Sequence, residues 1–215
     1  MDYNENKLQK LGIALYNLIE INFLWLIFTF LGLFIFGIFP SITAAFDTYT
    51  KYSNNKKINI FQTFKNSYKN LFISSNIIGF IFSFILSIIL IDYFYFLNIT
   101  NVFSIIFSYV LLLIFLMFSF SLVFSLKLKA NFIDSKITDI IKNGVFYSIS
   151  YFIQIFITFI LILAVILLAF KIIPGIIPIL GISFILIIIN YLFQSIIDKK
   201  SFLNFFKDFK TSIYQ

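Results

Sequence analysis

Residues 22–45 read NFLWLIFTFLGLFIFGIFPSITAA, and this stretch decides the fold class of the chain. No charged residue occurs between Asn22 and Phe39, a run of eighteen residues. At a rise of ~1.5 Å per residue, such a helix is about 27 Å long, which matches the hydrocarbon core of a bilayer. Trp25 lies near one end of the run, where its ring suits the lipid–water interface. The stretch therefore predicts a transmembrane helix in an integral membrane protein.

The composition extends this prediction to the whole chain of 215 residues. Hydrophobic residues make up 61% of the chain and its mean hydropathy is +1.02, so lipid must act as solvent for much of the molecule. We expect a single all-α transmembrane domain over residues 1–215. Its five predicted spans cover about residues 21–39, 71–96, 103–126, 147–170 and 176–193.

Amphipathic helices are predicted beside these spans. In residues 2–20, leucines recur at steps of three and four positions, which is typical of a helix lying in the interface. A similar apolar and polar pattern recurs in residues 60–66, 137–143 and 202–208. The sequence therefore predicts an N-terminal interfacial helix and three more on the cytoplasmic side.

Short motifs follow one another in a fixed order between residues 16 and 80. They are Asn22-x-x-Trp25-Leu26, Phe28-Thr29-x-Leu31-Gly32, Phe36-Gly37-x-x-Pro40, Thr43-Ala44-Ala45, Thr63-Phe64, Tyr68-Lys69-x-Leu71-Phe72 and Asn76-x-x-Gly79. Together they resemble the YesL-like family of small bacterial membrane proteins. The resemblance implies no settled biochemical activity and no catalytic residue. It implies a context, because such proteins often accompany importers and enzymes for complex plant-derived sugars.

The lysines predict an orientation in the bacterial plasma membrane. Thirteen of the sixteen lie in the two long polar segments and in the C-terminal tail, whereas Lys7, Lys10 and Lys171 lie on the other side of the predicted spans. By the positive-inside rule, the N-terminus is expected outside and the C-terminus in the cytoplasm. Lysines beside apolar spans can bind anionic lipid headgroups. They lack the planar guanidinium with which arginine binds phosphate in two places, so nucleic acid is not an expected partner.

Missing residue types narrow the chemistry. The chain has neither cysteine nor histidine, which removes thiolate nucleophiles, the usual neutral-pH acid–base group and the commonest zinc ligand. No glycine-rich phosphate loop or serine-hydrolase motif occurs in the sequence. We therefore expect no enzyme activity, no metal and no cofactor.

Small residues predict where helices pack. Ser75, Gly79, Ser83 and Ser87 recur at strict four-residue steps on the second span and form one smooth face. In lipid, helix association depends on close packing, so this face is expected to meet another helix. A substrate path along the same face is the alternative.

Two further groups are candidate sites. The side-chain amides of Asn76, Gln154 and Asn190 lie at similar predicted depths, so they either line a shallow cytoplasm-facing pocket or bond neighbouring helices. Gly37 and Pro40 are expected to end the first span near Phe39 and to turn the chain along the membrane surface. There, Ala44 and Ala45 would help to form a corner that docks a partner; the alternative is that Pro40 only ends a helix.

Three classes of function remain open. The first is a non-enzymatic accessory protein whose partners are the lipid bilayer and a membrane protein such as an importer permease, as the resemblance implies. The second is a small-molecule transporter or permease subunit, favoured by the buried amides and by Pro178 and Gly181. The third is a lipid-interacting enzyme or scaffold. Because the sequence shows no charge deep in a span, the first class is preferred.

Overall fold

A computed structural model describes residues 7–172 and 176–197, and these residues form seven helices. The helices are α1 (Lys7–Leu31), α2 (Ile38–Asn54), α3 (Ile60–Leu97), α4 (Val102–Asn131), α5 (Ile137–Ser150), α6 (Phe152–Ile172) and α7 (Ile176–Ile197). The predicted all-α class is confirmed for this part of the chain. The amphipathic segment predicted at residues 202–208 lies outside the described residues.

Four helices are long and apolar enough to cross a membrane. These candidate spans are Gly12–Leu31, Ile60–Leu97, Val102–Asn131 and Phe152–Lys171. A shorter apolar helix covers Gly181–Ile196 within α7, in the region of the fifth predicted span. The chain is thus a multi-pass membrane protein, and most of the second and third predicted spans coincides with α3 and α4.

The first helix ends earlier than the sequence predicts. Leu31 is the last residue of α1, and residues 32–37 form a turn before α2 begins. The predicted helical span over 21–39 is therefore interrupted after Leu31, and over the described residues the segment predicted as an interfacial helix continues into it as one helix from Lys7. Pro40 lies in the first turn of α2, where backbone N–H groups have no helical partner and a proline loses nothing.

Two glycines explain the position of this break. A Cβ atom on Gly37 would lie 2.3 Å from the carbonyl oxygen of Thr29, and one on Gly32 would lie 2.3 Å from the Cα of Gly37. Contacts this close require the absence of a side chain. The turn therefore depends on the Gly32–Gly37 approach, with Pro40 starting the next helix.

Helix α1 runs beside α3 in the same direction. The Glu20 carboxylate accepts a hydrogen bond from the backbone N–H of Phe61, near the start of α3. Farther along both segments, the Asn76 side chain donates to the carbonyl oxygen of Phe36, with N and O 3.0 Å apart. Because residue numbers rise together in both segments, α1 and α3 are parallel, with Glu20 level with the start of α3. The thirteen residues from Lys7 to Ile19 continue beyond that level on the same side.

Helix α2 runs back between them and occupies the centre of the bundle. Near its start, the Phe39 ring packs on Phe80 of α3 with centroids 5.9 Å apart. Near its end, Asp47 accepts a hydrogen bond from Ser67. More than half of α2 is buried, and it packs against α1, α3, α4 and α7.

This arrangement differs from the single crossing predicted for residues 21–39. The sequence placed the N-terminus and the polar segment around Asn55 on opposite sides of the membrane, as expected for a single crossing by residues 21–39. In the structure, α1 and α2 form a hairpin, so both the N-terminal end of α1 and the loop 55–59 lie at one end of the bundle. The physical reason is the turn at 32–37, which reverses the chain before a surface helix can form.

The later helices form two further antiparallel pairs. A short turn at 98–101 joins α3 to α4, and α5 then packs along α4, with the Ser121 and Ser148 hydroxyls 2.5 Å apart. The predicted span over 147–170 is interrupted, because the helical run breaks at Tyr151 between α5 and α6. The loops 55–59 and 132–136 therefore lie at one end of the α3–α4 pair and the turn 98–101 lies at the other.

Candidate functional site

A lysine is buried inside the bundle where α2, α4 and α7 meet. Lys127, near the end of α4, has 0% of its surface exposed. Its Nζ donates to the Thr50 hydroxyl on α2 and to the side-chain oxygen of Asn190 on α7, each at 2.7 Å. One ammonium group therefore links three helices that are distant in the sequence.

Aromatic rings complete the surroundings of this ammonium. Its Nζ lies 5.3 Å from the ring centroid of Phe46 and 5.6 Å from that of Phe193. The negative face of an aromatic ring attracts a cation, and this attraction grows when water is excluded. Hydrogen bonds and rings together replace the water shell that the charge loses on burial.

A carboxylate lies in the same region. Asp47 on α2 is buried and interacts electrostatically with Lys127. It also accepts hydrogen bonds from Ser67 and from Lys51, the second with N and O 2.6 Å apart. We call Lys127, Thr50, Asn190 and Asp47, with the rings of Phe46 and Phe193, the Lys127 cluster. These hydrogen bonds are made within the chain, and Asp47 is shared between Lys127 and Lys51.

A second lysine stabilises the adjoining loop. Lys129, also buried, donates to the backbone oxygens of Ile133 and Ser135, the second at 3.0 Å. Cations near a helix C-terminus satisfy carbonyl groups that have no helical partner. Lys129 thus fixes the connection from α4 to α5 next to the Lys127 cluster.

The three predicted pocket amides do not share one site. Asn190 belongs to the Lys127 cluster, whereas Asn76 donates to the carbonyl oxygens of Phe36 and Phe72, each at 3.0 Å. Gln154 lies on α6 and lines an open groove of about 570 Å³ with Leu113 and Met117, among others. The three amides therefore have different neighbours, and they do not form one pocket although their predicted depths in the membrane are similar.

The small-residue face is used over half its length. Ser75 and Gly79 are buried, Ser83 is half-buried, and Ser87 is exposed with its hydroxyl bonded to the carbonyl of Ser83. At Gly79, a Cβ atom would lie 2.2 Å from the Phe39 ring of α2. The close approach is therefore between α3 and the start of α2.

The predicted docking corner lies inside the bundle. Ala44 and Ala45 are fully buried, and Gly37 and Pro40 are buried with them. In this structure those residues contact helices of the same chain and present no surface to a partner. The small side chains allow α2 to run through the centre of the bundle instead of along its surface.

Sequence reasoning missed the Lys127 cluster. It placed Lys127 in a polar cytoplasmic segment and Asp47 among cytoplasmic carboxylates that are mixed with lysines. A signal was present, since Lys127 lies between Leu126 and Leu128, directly after the third predicted span. The sequence shows no charge deep in a predicted span, yet Lys127 and Asp47, which lie outside those spans, are buried in the helix bundle.

The comparison with protein families matches part of the N-terminal region of the chain. A family model described as "Protein of unknown function, DUF624" matches residues 18–93, which include α2, part of α1 and most of α3. The range contains nearly all of the stretch that resembles the YesL-like family, and the description likewise assigns no activity. No solved structure matches this chain.

Two curated proteins of Bacillus subtilis (strain 168) are similar to part of the chain. "Uncharacterized protein YesV" is 40% identical over 85 residues, covering 39% of this chain and 41% of the relative. "Uncharacterized protein YteU" is 40% identical over 72 residues, covering 33% of this chain and 32% of the relative. The matched segments thus span less than half the length of these relatives.

Proposed function

We propose that this multi-pass membrane protein is a non-enzymatic accessory protein of the bacterial plasma membrane. Its partner class is an importer for complex carbohydrates, which is the context that the YesL-like resemblance implies. The lysine-rich end of the bundle, with the loops 55–59 and 132–136, faces the cytoplasm in this proposal. A lipid-interacting enzyme has less support.

One observation carries the proposal: the buried charges serve the helix packing. Lys127 donates hydrogen bonds to Thr50 and Asn190. Asp47 accepts hydrogen bonds from Lys51 and Ser67. The cluster therefore forms its hydrogen bonds with helices of the same chain. A catalytic or transport site needs groups that turn toward a substrate. An accessory protein needs only a fixed bundle with a surface for its partner.

The start of α3 offers such a surface. Phe61 and Lys65 are exposed on the amphipathic segment that opens α3, at the lysine-rich end of the bundle. Aromatic side chains are enriched at protein interfaces, so the exposed Phe61 is the proposed anchor of the contact. This surface replaces the corner at Ala44 and Ala45 as the proposed contact.

Transport is the second candidate, because of Lys127. An ionisable side chain buried among membrane helices often marks an ion or substrate pathway. In that case Lys127 would exchange its bonds to Thr50 and Asn190 for bonds to an anionic or polar substrate. The two candidates differ in what the loss of the ammonium does.

The test is purification of the full chain at native expression in a mild detergent, followed by identification of bound proteins. A stoichiometric importer permease, lost in Phe61→Ser but kept in the lipid-exposed control Ile73→Ser, would support the accessory function. A protein that purifies alone and carries substrate into liposomes would overturn it. Loss of that flux in Lys127→Met, with unchanged thermal stability, would establish the transporter instead.

A further inference from the structure

The turn between α1 and α2 is apolar and exposed. Residues 31–39 carry no charged or polar side chain, and Leu33 and Ile35 are 79% and 64% exposed. Leu33 and Phe34 have positive φ angles of 54° and 60°, a conformation that costs free energy in residues other than glycine. An exposed apolar turn of this kind needs an apolar surrounding.

The turn lies beside the middle of α3. The Tyr68 hydroxyl donates to the carbonyl of Phe28 at 3.2 Å, just before the turn. The Phe36 ring, near the end of the turn, packs on Phe80 with centroids 5.6 Å apart. The tip of the hairpin is thus level with residues 68–80 of a helix that continues to Leu97.

Charges on α3 show where the membrane lies relative to this tip. Lys69 and Asp92 are exposed, and the 22 residues between them carry no charge. At ~1.5 Å per residue these span about 33 Å, close to the thickness of the hydrocarbon core. Gly79, beside the start of α2, lies about 15 Å beyond Lys69, so the tip reaches well into this apolar layer.

The backbone of the turn is paired as a membrane interior requires. The N–H groups of Leu33, Phe34 and Ile35 donate to carbonyl groups within the segment, at 2.9, 3.0 and 2.7 Å. The Asn76 side chain donates to the carbonyl of Phe36, which has left the helix. Irregular backbone inside a bilayer persists only when its polar groups are satisfied in this way.

We infer that α1, the turn 32–37 and α2 form a re-entrant hairpin whose tip contacts lipid acyl chains. The hairpin enters and leaves the bilayer on one side. The N-terminal end of α1 therefore lies on the same side as the loops 55–59 and 132–136. Lys7 and Lys10 then join the lysines of those segments on one side of the membrane. The positive-inside rule is obeyed more fully than with an external N-terminus.

The absence of cysteine makes this arrangement testable with single-cysteine variants of the full chain. Gln9→Cys reports the N-terminal end of α1, Asn55→Cys the loop 55–59 and Thr100→Cys the turn 98–101. A membrane-impermeant maleimide added to intact cells should label Thr100→Cys only, and Gln9→Cys and Asn55→Cys should react once the cells are opened. Labelling of Gln9→Cys in intact cells would overturn the re-entrant hairpin.

The lipid contact is tested by depth-dependent quenching in liposomes. An environment-sensitive fluorophore on Leu33→Cys, and in a second variant on Ile35→Cys, should be quenched more by nitroxides on acyl chains than by nitroxides on headgroups. Phe84→Cys is the control within the apolar part of α3, and Gln62→Cys is the control near its polar start. Quenching of both turn probes by aqueous iodide would contradict the inference. Protection from lipid and water alike would show that a protein covers the tip, which also contradicts it.

Discussion

At the residue scale, Lys127 shows what a buried ammonium needs in a bundle surrounded by lipid. Two oxygen acceptors at 2.7 Å and two aromatic rings surround the charge, and Asp47 supplies the opposite charge. Losing water costs an ion several kcal/mol, so each of these contacts matters more than it would at a surface. Removing an acceptor from the buried ammonium should therefore destabilise the protein more than removing the ammonium itself.

We expect Asn190→Leu to destabilise the protein more than Lys127→Met does. The first change leaves a buried ammonium without one of its acceptors, which costs about 3 kcal/mol or more. The second removes the charge itself, and the Thr50 hydroxyl keeps its bond to the carbonyl of Phe46. Thermal unfolding of the purified variants in one detergent measures the difference. Equal melting temperatures would mean that Asn190 is not needed by the charge.

At the element scale, the approach of α3 to α2 depends on one position. Gly79 faces the Phe39 ring so closely that a Cβ atom would overlap it. Among transmembrane helices, the packing of small residues carries much of the association energy, since no hydrophobic effect drives the helices together. The same face continues to Ser87, which is exposed, so periodicity alone exaggerates the length of the contact.

Gly79→Leu is therefore expected to lower thermal stability in detergent far more than Leu90→Ala. The larger side chain forces α2 away from α3 and disturbs the neighbouring Asn76–Phe36 bond. Overpacking of this kind costs roughly 1–3 kcal/mol or more. Leu90 is a suitable control because it lies on the same helix and is partly exposed. A neutral Gly79→Leu would refute the close contact.

At the scale of the whole molecule, the bundle has one end rich in lysine and one end nearly free of it. The loops 55–59 and 132–136 lie at the first end, and the turn 98–101 lies at the second. Large apolar side chains cover the outside, including Phe84 and Ile91 of α3, as expected for a surface in contact with lipid. By the positive-inside rule, this distribution of charge predicts that the lysine-rich end faces the cytoplasm.

Topology reporters fused after Asn55 and after Ser135 should both be active in the cytoplasm, and one fused after Ile99 should be active outside. The reason is that loops rich in lysine remain in the cytoplasm when the helices are inserted into the membrane. Alkaline phosphatase and green fluorescent protein fusions, compared at equal expression, give opposite signals at the two ends. A cytoplasmic signal after Ile99 would contradict both the α3–α4 hairpin and the proposed orientation.

The sequence by itself determined the features that depend on local composition. Long uncharged runs predict transmembrane helices, so α3 and α4 could be located from hydropathy alone. The polar residues Asn98 and Asn101 marked the turn between them. Four-residue spacing also predicted Gly79 as a packing position, and the predicted depth in a span singled out Asn190 as an amide that faces protein. These features follow from the solvent that each residue prefers, which is a property of the residue and its neighbours in sequence.

Only the tertiary structure decided what depends on contacts between distant residues. A hydropathy profile cannot separate the end of α1 from the turn, because the residues of the turn are as apolar as those of a transmembrane span. The break at 32–37 arises from the close approach of Gly32 and Gly37, and Pro40 is accommodated in the first turn of α2. Lys127 reads as a surface lysine until Thr50 and Asn190 are placed around it. A buried charge is stable only where partners from other helices replace its water, and no local pattern records that arrangement.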